Sequence, residues 1–175
     1  MKGLDYMFKW FKTAHSIEEV KRIYRQLCKE YHPDLHPGEA NETAMKEINA
    51  EYEKAFNRYK NIHESADDNT KTYTASNDTA ETPEEFKHII NMLIKLEGLE
   101  IELVGRWIWL TGNTFSYKDT IKGLGFKWAN KKKTWYWHRA EDSSRNRKEM
   151  SLDEIKHIYG CESFTATGMP KLATV

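Results

Sequence analysis

The chain has 175 residues, which suits one domain or two small ones. Its 27 basic and 27 acidic side chains balance, so net charge argues neither for nor against a nucleic-acid partner. No apolar run is long enough to cross a membrane and no signal-peptide pattern is present, which predicts a soluble, cytoplasmic protein. Two cysteines far apart, Cys28 and Cys161, predict neither a disulfide framework nor a zinc site.

Aromatic residues crowd the first stretch of the chain, residues 1–14. A brief helix here would place four apolar side chains on one side, namely those of Leu4, Met7, Phe8 and Phe11. We expect the aromatic residues of such a helix to serve packing rather than binding.

An amphipathic helix is predicted over residues 16–31. Ser16 and Glu19 form a capping box at its start. Because Pro33 disfavours the α conformation in the residue before it, the helix should end at about His32. We therefore expect His32 and Asp34 to lie on a tight bend that presents them to solvent. The apolar stripe of this helix consists of Ile17, Val20, Tyr24, Leu27, Cys28 and Tyr31.

The face away from this stripe is basic and carries Lys21, Arg22, Arg25 and Lys29. Such a face is usually only solvated. It also suits docking to an acidic partner, because charge sets the rate and orientation of encounter. The two histidines that follow have neither a nucleophile–base pair nor a set of metal ligands beside them, so catalysis by this region is not expected.

A further helix is predicted over about residues 41–62, after a loop that contains Pro37 and Gly38. Facing the preceding helix, it would complete a helical hairpin with a modest core. Its inward stripe consists of Met45, Ile48, Tyr52, Ala55 or Phe56, and Tyr59.

The sequence Tyr31-His32-Pro33-Asp34, between these two helices, resembles the J-domain of DnaJ-type co-chaperones. Residues 21–31 are similar to the second helix of that family nearly position for position, and residues 45–49, with Tyr52, to the start of its third. The likeness covers residues 4–63. It departs at Phe11-Lys12-Thr13, where a Leu-Gly-apolar turn is usual, and at Leu35, where Lys or Arg is usual.

The resemblance implies both a partner and a site. The helix pair would dock on a DnaK-type heat-shock chaperone and stimulate its ATPase through the His-Pro-Asp loop, without being an enzyme and without a cofactor or metal. Zinc-binding cysteine repeats and a Gly/Phe-rich segment, found in larger members, are missing from this sequence. The residues implied to bind the chaperone are His32, Pro33, Asp34, Lys21, Arg22, Tyr24, Arg25 and Lys29.

Residues 64–82 are polar, acidic and nearly without hydrophobic side chains. Such a stretch buries too little surface to offset the loss of chain entropy, which predicts a flexible linker. The expected organisation is therefore a J-domain at 1–63, the linker at 64–82, a second module at 83–140 and a polar tail at 141–175.

The second module begins at Thr82-Pro83-Glu84-Glu85, a capping box with proline at the first helical position. After this helix, Gly98 precedes an alternating strand at 99–103, and a second strand follows at 106–111. A short helix at 116–124 and a hairpin at 126–138 complete the order α-β-β-α-β-β. This order predicts a small α+β domain, so the whole chain belongs to the α+β class.

Tryptophans and lysines are concentrated in the strands and turns of this module, where 84–140 hold ten basic and six acidic side chains. Two interpretations stay open: the tryptophans fill a small core, which we favour, or they bind a protein or single-stranded nucleic acid. The pattern is similar to small proteins of phages and mobile elements. The candidate target-binding residues are Trp107, Trp109, Lys131, Lys132, Lys133, Trp135 and Trp137.

A last capped helix is predicted at 151–159, and the chain from Cys161 onward is predicted to be disordered. Two functions remain in view. One is a co-chaperone adaptor whose second module selects a client or target, and the other is a nucleic-acid-binding protein with an accessory J-domain.

Overall fold

The computed structural model describes residues 8–65, 71–75, 82–104, 107–138, 151–159 and 162–166. A helical N-terminal part is followed by a sheet-containing C-terminal part, so the α+β class is confirmed. Within these residues, no helix has the length and apolar character that crossing a membrane requires.

Two antiparallel helices form the N-terminal part, α1 (Ile17–Tyr31) and α2 (Glu39–Tyr59). The Ser16 side chain caps α1 by accepting the Glu19 amide at 3.1 Å, as the capping box predicts. Helix α1 ends at the predicted place, since His32 leaves the α conformation with φ −65° and ψ 125°. Helix α2 is displaced slightly towards the N-terminus from its predicted range of 41–62.

The short N-terminal helix predicted for residues 1–14 is not formed by residues 8–14, which make bends and a turn; residues 1–7 lie outside the described part. The amides of Trp10 and Phe11 donate to Glu51 Oε1 on α2, at 2.6 and 3.0 Å. In a helix these amides would donate to backbone carbonyls of the same helix. Here a side chain of α2 accepts them instead. The packing role is retained, because Phe8 and Phe11 are buried.

A β-hairpin follows α2, formed by β1 (Ile62–Glu64) and β2 (Thr72–Thr74). It lies largely inside the stretch predicted to be a flexible linker. The sequence does not reveal it because all three residues of β2 are exposed and show no apolar alternation. The inward residue of β1 is a histidine, His63, which is buried against α1.

The C-terminal part is a five-stranded antiparallel sheet with helices around it, and the predicted order of elements from α3 to β6 is confirmed. The strand order is β5-β6-β4-β3-β7. A 3₁₀ turn (Phe115–Tyr117) precedes α4. The elements are α3 (Pro83–Leu93), β3 (Leu99–Val104), β4 (Trp107–Gly112), α4 (Lys118–Gly123), β5 (Lys127–Ala129), β6 (Thr134–Trp137), α5 (Leu152–Tyr159) and β7 (Glu162–Thr165).

Strand β7 lies in the segment for which the sequence predicts disorder, and that prediction is wrong for residues 162–166. It pairs antiparallel with β3, where Ile101 stands opposite Phe164. The Ala166 amide extends the pairing by donating to the Leu99 carbonyl at 2.6 Å. The reason is that β3 has an edge whose backbone groups need partners. Residues 167–175 lie outside the described part.

Helix α3 connects the two parts through one hydrophobic core. The ring centroid of Phe86 lies 6.3 Å from those of both Tyr24 and Tyr52. Other buried residues of α3, including Ile90 and Leu93, continue the same core towards the sheet. The sequence places α3 in a separate module and does not predict this contact with α1 and α2.

Candidate functional site

The bend after α1 is closed by its own backbone. The amides of Leu35 and His36 donate to the His32 carbonyl at 3.0 and 2.8 Å. The Asp34 amide donates to His32 Nδ1 at 3.2 Å. Because an amide can only donate, Nδ1 must be the unprotonated nitrogen and Nε2 carries the hydrogen of the neutral ring. The His32 ring therefore fixes the direction in which the chain leaves the bend.

His32 is buried rather than presented to solvent, with 8% of its surface exposed, so the expectation of exposure is wrong. Burial lowers the pKa of His32 from its ordinary 6.5, the Asp34 carboxylate acts in the opposite direction, and the charge of Lys95 lowers it further. The ring is therefore neutral at pH 7. It borders a cleft of about 240 Å³, lined by His32, Pro33, Glu42, Met45, Lys46, Asn49 and Asn91.

Asp34 forms an ion pair with a lysine of the C-terminal part. Lys95 Nζ lies 2.5 Å from Asp34 Oδ2, and both side chains are partly exposed. The hydrogen bond from Lys95 is the main cause that lowers the pKa of Asp34, and the positive charge acts in the same direction. Lys95 follows α3 directly, so the end of that helix sets the position of its amine.

The basic face of α1 is not a uniformly solvated surface. Lys21 and Arg25 are only 5% and 4% exposed, which corrects the prediction that they lie on an open face. With Cys28 they recur at three- and four-residue steps, so they share one side of α1. That side faces α3, because Lys21 Nζ lies 5.4 Å from the Phe86 ring centroid and Cys28 Sγ lies 4.0 Å from Asn91 Oδ1.

The other implied chaperone-binding residues differ in exposure and in the contacts that they make. Lys29 is exposed, at the end of α1 nearest the bend. Arg22 forms an ion pair with Glu64 of β1. Tyr24 is fully buried, its ring centroid 4.1 Å from that of Tyr52, and its hydroxyl donates to Asn49 Oδ1 at 2.8 Å. Its role in the structure is to hold α1 against α2.

Comparison with known proteins identifies the helix pair and its bend, because the DnaJ domain family matches residues 11–64. Residues 11–64 are a DnaJ domain. The chain is 56% identical over 36 residues to a chaperone protein DnaJ of Acetivibrio thermocellus, a match that covers 20% of this chain and 9% of that protein.

Two further relatives also match over a short part of their length. A chaperone protein DnaJ of Caldicellulosiruptor saccharolyticus is 57% identical over 37 residues, covering 21% of this chain and 10% of that protein. One of Orientia tsutsugamushi strain Ikeda is 51% identical over 56 residues, covering 30% and 15%. The chain thus spans between about a tenth and a seventh of the length of these relatives. No solved structure matches it.

Outside the DnaJ domain, the candidate target-binding tryptophans lie on two different faces of the sheet. Trp109 stands opposite Tyr136 in the register, so Trp107 and Trp109 share a face with Tyr136, whereas Trp135 and Trp137 alternate to the other face. Trp135 and Trp137 pack against the hydrophobic core, and Trp109 is 3% exposed. The structure therefore does not bring these residues together on one surface.

The three candidate lysines all lie in one turn of the sheet. Lys131, Lys132 and Lys133 lie in the turn between β5 and β6, at the predicted hairpin tip. On the face that carries Trp107, the rings instead contact one another: the centroids of Trp107 and His138 are 4.1 Å apart, and those of Trp107 and Trp109 are 5.6 Å apart. These lysines are thus part of a turn, and the ring cluster on this face is made of aromatic side chains that contact one another.

Sequence reasoning missed Lys95 and Phe86, which bring the C-terminal part to the DnaJ domain. Phe86 is one of the buried apolar residues of α3, but an apolar stripe along a helix does not show which surface it will pack against. Lys95 is one lysine beyond a helix, and no local pattern sets it apart. The periodicity of apolar residues reports on neighbours within one helix or strand, so it cannot predict a contact between residues sixty positions apart.

Proposed function

We propose that the protein is a co-chaperone whose DnaJ domain recruits a DnaK-type heat-shock chaperone and stimulates its ATPase. The observation that carries the proposal is the His32-Pro33-Asp34 bend at the end of α1, inside the segment 11–64 that matches the DnaJ domain. The relatives, which are chaperone proteins DnaJ, match over the same N-terminal segment.

The proposed action is regulatory, because the chaperone holds the nucleotide. A co-chaperone that binds one conformation of its partner more tightly shifts the partner towards that conformation. Asp34 would supply the negative charge of the contact. The neutral ring of His32 would hold the amide of Asp34, so that the carboxylate meets a cation of the partner in a fixed orientation.

Positive charge on α1 would guide the encounter with an acidic surface. Lys29 is exposed near the bend, and Arg22 lies in the other half of the helix, beside Glu64. Lys21 and Arg25 would contribute only where α3 does not cover them. The docking surface proposed from these residues is therefore smaller than the one that the sequence predicts.

We propose that the C-terminal part selects a client or target in the cytoplasm. The face of the sheet with half-buried Trp107, Tyr136 and His138 supports this role, since aromatic rings are frequent at protein-binding surfaces. Binding of single-stranded nucleic acid is supported less well. A stacking platform needs exposed ring faces, and here the rings stack on each other.

Single-turnover ATP hydrolysis by a DnaK-type chaperone tests the proposal. Wild-type protein should accelerate hydrolysis, and His32→Gln should abolish the acceleration because the bend loses its imidazole. His36→Gln is the matched control: it makes the same change on an exposed histidine four residues on and should keep the acceleration. Equal acceleration by wild type and His32→Gln, with equal melting temperatures, would contradict the proposed function.

A further inference from the structure

The acidic residue of the bend is already occupied by a residue of the same chain. Lys95 Nζ takes a position 2.5 Å from Asp34 Oδ2, the distance of a charge-assisted hydrogen bond. A carboxylate can only accept hydrogen bonds, so any partner that recognises Asp34 must bring a donor or a cation to it. Lys95 stands where such a group would stand.

Helix α3 also covers part of the surface that leads to the bend. Lys21 and Arg25 on α1 are buried on the side that faces α3. Phe86 packs against the rings of Tyr24 and Tyr52, between α1 and α2. Asn91, in the last turn of α3, reaches Cys28 and borders the same cleft as His32. One helix therefore covers part of the basic face and delivers the lysine to Asp34.

We propose that α3 and Lys95 inhibit the DnaJ domain in cis, so that the chain stimulates its chaperone fully only after Lys95 has left Asp34. This inference rests on the proposed co-chaperone function and adds its regulation. The inhibited form is the one described here. The active form keeps the DnaJ helices and moves the end of α3 away from the bend.

Two of the contacts that hold this form differ in strength, so that one can be released while the other is kept. The ion pair between Lys95 and Asp34 is partly exposed, and such pairs are weak and sensitive to salt. Phe86, by contrast, is 1% exposed and holds the first turn of α3 on the helix pair. The ion pair is therefore the contact that yields first. A ligand of the C-terminal part that prefers the released form would activate the DnaJ domain.

Inhibition of this kind has a measurable consequence. When only a fraction of molecules is competent, the apparent affinity for the partner falls by that fraction. A change that removes Lys95 should thus raise stimulation at sub-saturating concentrations of the protein, and the gain should vanish at saturation. The gain should also shrink at high salt, where the wild-type ion pair is already screened.

The test compares full-length wild type with Lys95→Ala and Lys95→Arg in single-turnover ATP hydrolysis by a DnaK-type chaperone. Lys95→Ala should raise stimulation about 2- to 5-fold at sub-saturating concentration, the factor that corresponds to loss of one exposed ion pair. Lys95→Arg keeps the positive charge and should behave as wild type. The double variant His32→Gln, Lys95→Ala should not stimulate, which shows that the gain acts through the bend.

Each other outcome decides the question. Equal stimulation by wild type and Lys95→Ala would overturn the inhibition and leave the co-chaperone function standing. Weaker stimulation by Lys95→Ala would also overturn it, because Lys95 would then assist docking. If neither wild type nor Lys95→Ala stimulated at any concentration, the co-chaperone function itself would be overturned, and the inhibition with it.

Discussion

His63 Nδ1 lies 2.8 Å from Glu18 Oε1 and joins the strand after the DnaJ helices to the first turn of α1. The second oxygen of the same carboxylate accepts the Glu64 amide at 3.1 Å. Glu18 thus satisfies a ring and a backbone donor at once. Beside it, Arg22 and Glu64 form an ion pair between the same two elements.

Glu18→Ala should destabilise the protein by about 1.5–3 kcal/mol, the range for hydrogen bonds to a charged group. The change leaves His63, which is 4% exposed, and the Glu64 amide without this acceptor. Urea denaturation at pH 7 measures the loss. Lys54→Ala, at an exposed position of α2, is the control and should change stability by less than about 0.5 kcal/mol.

The stabilisation by Glu18 should depend on pH. Burial raises the pKa of Glu18, but the hydrogen bond and charge of His63 and two backbone amides outweigh it, so the pKa is lowered from 4.5. A carboxyl whose pKa is lowered by folding stabilises the protein above its ordinary value and loses this effect as the pH falls through the folded value. The difference between wild type and Glu18→Ala should therefore narrow below about pH 4.5; a difference that widens there contradicts this assignment.

Phe86→Ala should cost about 3–5 kcal/mol, because it removes a ring from the contact between α3 and the DnaJ helices and leaves a cavity. Phe115→Ala is a matched control, since the Phe115 side chain is 90% exposed and should contribute within about 0.5 kcal/mol. Thermal and urea unfolding distinguish the two. Similar losses for both would show that α3 does not pack through Phe86.

Arg25→Ala should be more destabilising than Lys29→Ala, although both residues belong to the basic face of α1. Arg25 is 4% exposed and Lys29 is exposed, so only the first loses buried contacts of its aliphatic stem. We expect a loss of about 1–2 kcal/mol for Arg25→Ala, within the usual range for buried substitutions. Equal melting temperatures of the two variants would contradict the burial of Arg25 and support the open basic face that the sequence predicts.

Lys95→Ala should raise the pKa of His32 towards 6.5. Burial lowers this pKa first, and the neighbouring positive charge lowers it further, so removal of that charge makes protonation easier. A titration of the imidazole signals by NMR measures the shift without any partner protein. Lys87→Ala, which removes an ion pair between α3 and Glu53, is the control and should leave the His32 titration unchanged. An unshifted titration in Lys95→Ala would place Lys95 away from the bend in solution.

Local patterns in the sequence determined the helices α1 to α3, the strands β3 to β6 and the identity of the N-terminal domain. The capping box at Ser16, the proline after His32 and the apolar stripes fix the ends and faces of α1 and α2 through interactions within a few residues. The same kind of signal placed α3 and the strands β3 to β6. The His-Pro-Asp bend, recognised with its flanking helices, was sufficient to predict the DnaJ domain that the family match confirms.

Only the tertiary structure decided which of these faces is open. The stripe of α1 predicted Leu27 inside and Lys21 and Arg25 outside, whereas Leu27 is partly exposed and both cations are buried. The burial of those cations by α3, the pairing of β7 with β3 and the contact of Lys95 with Asp34 join residues that are distant in sequence. Such contacts depend on the shape and polarity of both surfaces that meet. The periodicity of one segment describes the surface of that segment alone and not the surface against which it packs.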